Sequence, residues 1–112
     1  LGVDMFDCVI PTRNGRNGML FTAKGTINIK NKKWENDFSP IDSANYCFVD
    51  IDYSKAYLRH LFTLNEILGK QIATLHNLSF YMWLMSESRK HILADDFRNW
   101  KNHMCRQMNN RL

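Results

Sequence analysis

Residues 3–18 read Val-Asp-Met-Phe-Asp-Cys-Val-Ile-Pro-Thr-Arg-Asn-Gly-Arg-Asn-Gly, and most of the chemistry this chain could perform is concentrated there. An apolar strand bearing two carboxylates empties, across one proline, into a loop with two arginines, two asparagines and two glycines. An acid at a strand end beside a flexible cationic loop suits attack on the sugar of an RNA. Asp7, held against an anomeric carbon, could form a covalent glycosyl ester as retaining glycosidases do. It could equally cap the loop amides after Pro11. Asp4 is its rival, and residues three apart on a regular strand face opposite sides, so the two cannot share one pocket.

The loop itself has two readings. Glycines let backbone amides approach a phosphate, and the guanidiniums of Arg13 and Arg16 can grip a phosphate or a guanine edge with two bonds each. Thr12 and Asn14 add a hydroxyl and an amide suited to single-stranded bases. The alternative is a solvated basic turn. A third group, Asn45, Cys47, Asp50 and His76, contains residue types that bind zinc. One thiolate, one carboxylate and one imidazole make a poor structural site, since such sites are dominated by Cys and His. A single His on a helix stripe is more often a hydrogen-bonded core residue.

The elements that must position these groups follow from periodicity. Residues 3–10 are rich in Val, Ile and Phe without clean alternation, which predicts a strand covered on both faces, ended by Pro11. Met19–Thr22 and Thr26–Lys30 are β-type runs separated by Ala23-Lys24-Gly25, a hairpin signal with Gly25 supplying a positive φ. Residues 31–53 read as a long polar connection touching the core through Trp34, Phe38 and Ile41. Ser54 is the expected N-cap of a helix bearing Tyr57, Leu58, Leu61, Leu64 and Leu68, broken or kinked at Gly69. A second helix carries the stripe Ile72, Leu75, His76, Phe80, Trp83 and Leu84, with Leu78 on its flank. Asp95 and Asp96 open a third, with Phe97, Trp100, Met104 and Met108.

Composition bounds what these elements can be. The chain has 112 residues, 45% hydrophobic and 23% charged, so it is one domain at most and globular rather than disordered. A net charge of +4 leans towards a polyanionic partner. The cysteines, Cys8, Cys47 and Cys105, are odd in number and widely spaced, which argues against a disulfide framework and for a reducing cytoplasm. No apolar run approaches the roughly 18 residues of a membrane span, and no signal peptide is evident. The chain starts at Leu1, in line with a piece of something larger.

The first run resembles the signature of bacterial-type tRNA-guanine transglycosylases (queuine tRNA-ribosyltransferases). Further matches are Ile27-Asn28-Ile29, Ser39-Pro40-Ile41-Asp42, the segment from Tyr53 to Leu61, and His76-Asn77-Leu78-Ser79-Phe80-Tyr81. The resemblance covers nearly the whole chain and implies an α/β fold, the C-terminal part of a (β/α)8 barrel. That part would hold the last barrel strand and RNA-recognition loop in residues 1–18, a hairpin and irregular subdomain in 19–53, and about three helices in 54–112. Such enzymes exchange guanine at the wobble position of certain tRNA anticodons for a 7-deazaguanine, in bacteria preQ1, during queuosine biosynthesis. By position, Asp7 corresponds to the nucleophile that bonds ribose C1′, and Thr12, Arg13, Asn14, Gly15 and Arg16 to the segment that recognises the wobble nucleotide and its neighbours.

The family's usual zinc ligands, Cys-x-Cys-x-x-Cys and a later His, fall here on Asn45, Cys47, Asp50 and His76. Two of three thiolates are missing, so the expectation is that zinc is lost and that packing by Tyr46, Phe48 and the helices replaces it. The resemblance also implies homodimers through the helical region, and it places the proton-accepting aspartate and the base pocket upstream of this chain. The piece alone is therefore expected to be inactive. The competing reading is a non-catalytic RNA-binding or dimerisation module, docking a partner through Tyr53, Tyr57, His60 and Leu61.

Overall fold

A computed structural model describes residues 3, 5–44 and 46–112. In chain order it contains α1 (Ile10–Arg16), β1 (Met19–Thr22), β2 (Gly25–Asn28), a 3-10 turn (Lys32–Trp34), α2 (Phe48–Asp52), α3 (Lys55–Thr63), α4 (Ile67–Leu93) and α5 (Phe97–Met108). The architecture is helices packed around α4 with a small antiparallel hairpin. Among the described residues five α-helices form, against about three expected.

The largest departure lies at the start. Residues 5–9 are in no strand, and residues 10–16, expected as strand end and loop, are helical. A strand covered on both faces needs hydrogen-bonding neighbours, and β1 and β2 pair with each other instead. Pro11 opens the helix rather than closing a strand: at the first positions its missing amide costs nothing and its fixed φ is already helical. The Val9 carbonyl accepts the Arg13 amide at 2.8 Å and the Thr12 hydroxyl at 3.2 Å.

The hairpin forms, with its second strand at Gly25–Asn28 rather than Thr26–Lys30 and Gly25 inside the strand, in the register Met19↔Asn28 through Thr22↔Gly25. Thr22 closes its two-residue turn, the hydroxyl donating to the Gly25 carbonyl at 2.8 Å and accepting the Gly25 amide at 3.1 Å. Gly25 has φ +153, and a Cβ there would stand 2.7 Å from the Asn110 carbonyl oxygen. Glycine is therefore required as much by the C-terminal tail as by the turn. That tail covers the outer edge of β2, with Thr26 donating to Asn110 and accepting from Leu112, both at 2.9 Å. Each otherwise open edge of the hairpin is thus occupied.

The connection from 31 to 53 touches the core through Ile41 and partly buried Trp34, whereas Phe38 is 78% exposed. Within that stretch Phe48–Asp52 forms the short helix α2. Ser54 caps α3 as expected, accepting the Tyr57 amide at 3.2 Å. Gly69 does not break a helix: α3 ends at Thr63, and Gly69 lies in the first turn of α4, where a Cβ would meet that of Leu61 at 3.0 Å. The absence of a side chain there lets α3 and α4 close. The N-terminal half of α4 buries Ile72, Ala73, His76, Asn77 and Phe80, while Met82, Met85, Ile92 and Leu93 stand exposed beyond it. Leu75 and Leu78 of the expected stripe are also exposed. Asp96 precedes α5, where His91 and Asp96 form a 2.6 Å contact and His91 stacks on Trp100. No helix among the described residues is long and apolar enough to cross a membrane.

Candidate functional site

Asp7 is exposed and lies three residues ahead of α1. Asp4, its rival, and Asn45, one of the degenerate zinc positions, lie outside the described residues. Along α1 the helical repeat sorts the recognition segment. Pro11 and Gly15 are buried, Thr12 and Asn14 are half-buried, and Arg13 and Arg16 are exposed. Arg13 and Arg16 are three residues apart and so share a face. Among the described residues neither is paired with a carboxylate within ion-pair distance. Two guanidiniums with no ion-pair partner among the described residues, on a helix just beyond an exposed acid, leave bidentate donors available to an anionic ligand. Arg16 also lines a groove of about 740 Å³ with Phe48, Tyr53, Ile67 and Lys70.

Gly15 has a different reason to be glycine from the one expected. A Cβ there would lie 3.0 Å from backbone atoms of Ala73 and Thr74. The missing side chain lets α1 lie directly on the backbone of α4, so the close approach is to the protein's own chain.

Behind α1, two adjacent α4 side chains complete the outer edge of β1. Asn77 is fully buried: its Oδ1 accepts the Phe21 amide at 3.1 Å, and its Nδ2 donates to the carbonyls of Pro11 at 3.0 Å and Met19 at 2.9 Å. His76, also fully buried, places Nε2 at 2.7 Å from the Phe21 carbonyl and Nδ1 at 2.6 Å from Asp50 Oδ1. Asp50 in turn accepts the Tyr46 amide at 3.0 Å. The two side chains therefore satisfy both outward-facing backbone groups of Phe21, tying α1 and α2 to the hairpin through α4. Sequence reasoning passed over Asn77 because it is polar. Its signal was position: Ala73, His76, Asn77 and Phe80 stand at i, i+3, i+4 and i+7, a single helix face.

The donor set at the degenerate metal positions does not fit a zinc ion. A histidine ligand offers one ring nitrogen as a lone pair. Here Nε2 must donate to a backbone carbonyl, and Nδ1 is engaged by the Asp50 carboxylate. Cys47 is partly buried against the apolar core, and no group of three metal-ligating side chains comes together among the described residues. The neighbouring Tyr46 ring packs against Phe80 and Trp83, with centroids 5.4 and 5.0 Å away. Among the described residues its buried hydroxyl makes no hydrogen bond of normal geometry, and burial followed by the nearby Asp42 carboxylate pushes its ionisation well above the ordinary phenol value.

On the helical surface Tyr53 and Tyr57 stack at 5.7 Å, and His60 is exposed. Leu61 is not available to a partner: it is 6% exposed and belongs to the central apolar cluster. Beside the tyrosines, Phe38, Pro40 and Ile51 line a groove of about 540 Å³.

The chain belongs to the queuine tRNA-ribosyltransferase family, whose description matches residues 1–110. Relatives bearing that name include those of Aquifex aeolicus, 47% identical over 99% of this chain, and Treponema denticola, 49% identical over 99%. That of Clostridium acetobutylicum is 52% identical over 90% of this chain. The matches cover 29%, 29% and 27% of those proteins, so the chain spans under a third of their length.

Proposed function

We propose that this chain supplies the nucleophile and part of the RNA grip of a tRNA-guanine transglycosylase, the C-terminal portion of its (β/α)8 barrel. The Asp7 carboxylate attacks C1′ of the wobble nucleotide as the bond to guanine breaks, giving an aspartyl-ribosyl ester. An incoming 7-deazaguanine then displaces the carboxylate and restores an N-glycosidic bond. Attack on this centre develops oxocarbenium character, which an adjacent carboxylate stabilises and then traps. Arg13 and Arg16, with Thr12 and Asn14, hold the anticodon, while Gly15 seats their helix on α4. The observation that carries this reading is an exposed Asp7 ahead of a helix whose two guanidiniums are exposed and form no ion pair among the described residues, in a chain of this family.

The proton acceptor and base pocket lie in the remainder of the family's length, so this chain alone binds RNA without exchanging the base. A nucleophile without a base site cannot orient its substrate. The protein works in the cytoplasm without zinc, and the half-buried Tyr53 with the exposed Tyr57, Phe38 and Ile51 forms part of a homodimer contact. Cross-linking through Tyr57 in the complete enzyme tests that contact, and cross-links confined to other surfaces would remove it.

The functional test is made in the complete enzyme, this chain with the rest of the family's length. Asp7→Asn is expected to abolish covalent RNA capture while tRNA binding persists. Loss of binding together with capture would make Asp7 structural. Arg13→Ala should weaken tRNA binding and lower the slope of log affinity against log salt by about 1, the value for one lost phosphate contact.

A further inference from the structure

We infer that Asn77 is a positioning residue for the RNA-recognition helix, acting through the Pro11 carbonyl. This rests on the reading of α1 as the RNA grip. Three backbone segments meet at one buried carboxamide: Phe21 needs an acceptor, and Pro11 and Met19 need donors. Asparagine provides one acceptor and two donors at a length that reaches all three. A carboxylate would offer no donor when ionised, and an apolar side chain of equal size would leave the Phe21 amide and the Met19 carbonyl unpaired and release the Pro11 carbonyl from α4.

The carboxamide grips α1 at its first turn, four residues after Asp7 and two before Arg13. The far end of the same helix is set by Gly15, where a Cβ would stand 3.0 Å from the backbone of Ala73 and Thr74. One polar anchor and one close approach therefore fix both the height and the slide of α1 on α4. Each is independent of the other, and neither side chain faces the solvent where RNA would bind. An arrangement of this kind holds Arg13 and Arg16 in place before the ligand arrives, which matters because small misplacements of a recognition element are costly to catalysis.

The test is steady-state kinetics of the complete enzyme with Asn77→Asp, Gly15→Ala, Arg13→Ala and Leu58→Ala. Asn77→Asp keeps the acceptor for Phe21 but loses the donors to Pro11. It should raise KM for tRNA about ten-fold or more while leaving KM for the free base unchanged. Gly15→Ala, which lifts α1 without touching a hydrogen bond, should do the same and decides the matter if Asn77→Asp does not fold. Leu58→Ala, a core truncation remote from α1, should lower only the folded fraction, and with it the maximal rate. If Asn77→Asp or the deciding Gly15→Ala behaves like Leu58→Ala, with the rate reduced and KM for tRNA unmoved, the inference is overturned. If Arg13→Ala also leaves KM for tRNA unmoved, the RNA-grip reading itself fails. A raised KM in Arg13→Ala alone defeats only the role of Asn77.

Discussion

Replacing Asp50 with alanine should be among the most damaging single changes in this chain, and replacing it with asparagine among the mildest. Asp50 is fully buried and holds two partners, His76 Nδ1 at 2.6 Å and the Tyr46 amide at 3.0 Å. Alanine leaves both unpaired in the interior. Breaking a buried pair costs about 3–5 kcal/mol, inside the roughly 2–6 kcal/mol that two orphaned groups at about 1–3 kcal/mol each would lose. At this chain length that corresponds to a fall in Tm of roughly 10–25 °C. In Asp50→Asn every contact survives. The amide N–H donates to His76 Nδ1, its oxygen accepts the Tyr46 amide, and His76 Nε2 still donates to Phe21. The cost should then stay below about 1.5 kcal/mol, the scale of one neutral hydrogen bond. Urea and thermal denaturation followed by circular dichroism, with and without a chelator, read all of this. Equal loss in both variants would mean that charge, not hydrogen bonding, is what the network supplies. A chelator-induced drop in wild-type Tm, or stoichiometric zinc in protein purified without added metal, would refute a metal-free staple.

Three further outcomes are expected. Tyr46→Phe removes a buried hydroxyl that makes no hydrogen bond of normal geometry among the described residues, and it should be neutral or stabilising by up to about 1–2 kcal/mol at neutral pH; a clear loss in the same melts would show that Asp42 holds the hydroxyl. Burial first, then Asp42, raises the Tyr46 ionisation, so above its ordinary value of 10.0 the unfolded phenol loses its proton while the folded one keeps it. Stability should consequently fall as pH rises past that value, less so in Tyr46→Phe, and identical alkaline profiles would sink this explanation. Gly25→Ala should cost about 1–3 kcal/mol by strain at its positive φ and collision with Asn110, and hydrogen exchange should quicken at the Thr26 and Leu112 amides; unchanged protection there would show the tail is held otherwise.

What could be read from the sequence was local. The hairpin, the Ser54 cap and the start of α5 at Asp95 and Asp96 depend on a few neighbouring residues whose chemistry is self-contained, and they stand where they were expected. The helix over 10–16 was hidden because Arg-Asn-Gly-Arg is turn-like in composition, and only contact with α4 through Gly15 makes a helix of it. Gly69 was misread for the same reason: a glycine suggested a break, whereas its function is close packing on Leu61. Residues 3–10 have strand composition, but residues 5–9 join no strand among the described residues, so composition alone could not decide them. His76 drew attention as a possible ligand, yet its two hydrogen bonds are set by Asp50 and Phe21, far away in sequence. Asn77 carried a positional signal that a search for apolar stripes discards.

The most direct measurement is mass-spectrometric mapping of the covalent adduct formed when the complete enzyme is quenched during turnover with tRNA. Ribosylated RNA should be found on the peptide that ends at Arg13, attached to Asp7, and should vanish in Asp7→Asn. An adduct on any other residue, or one that persists in that variant, would contradict the assignment of Asp7 as the nucleophile.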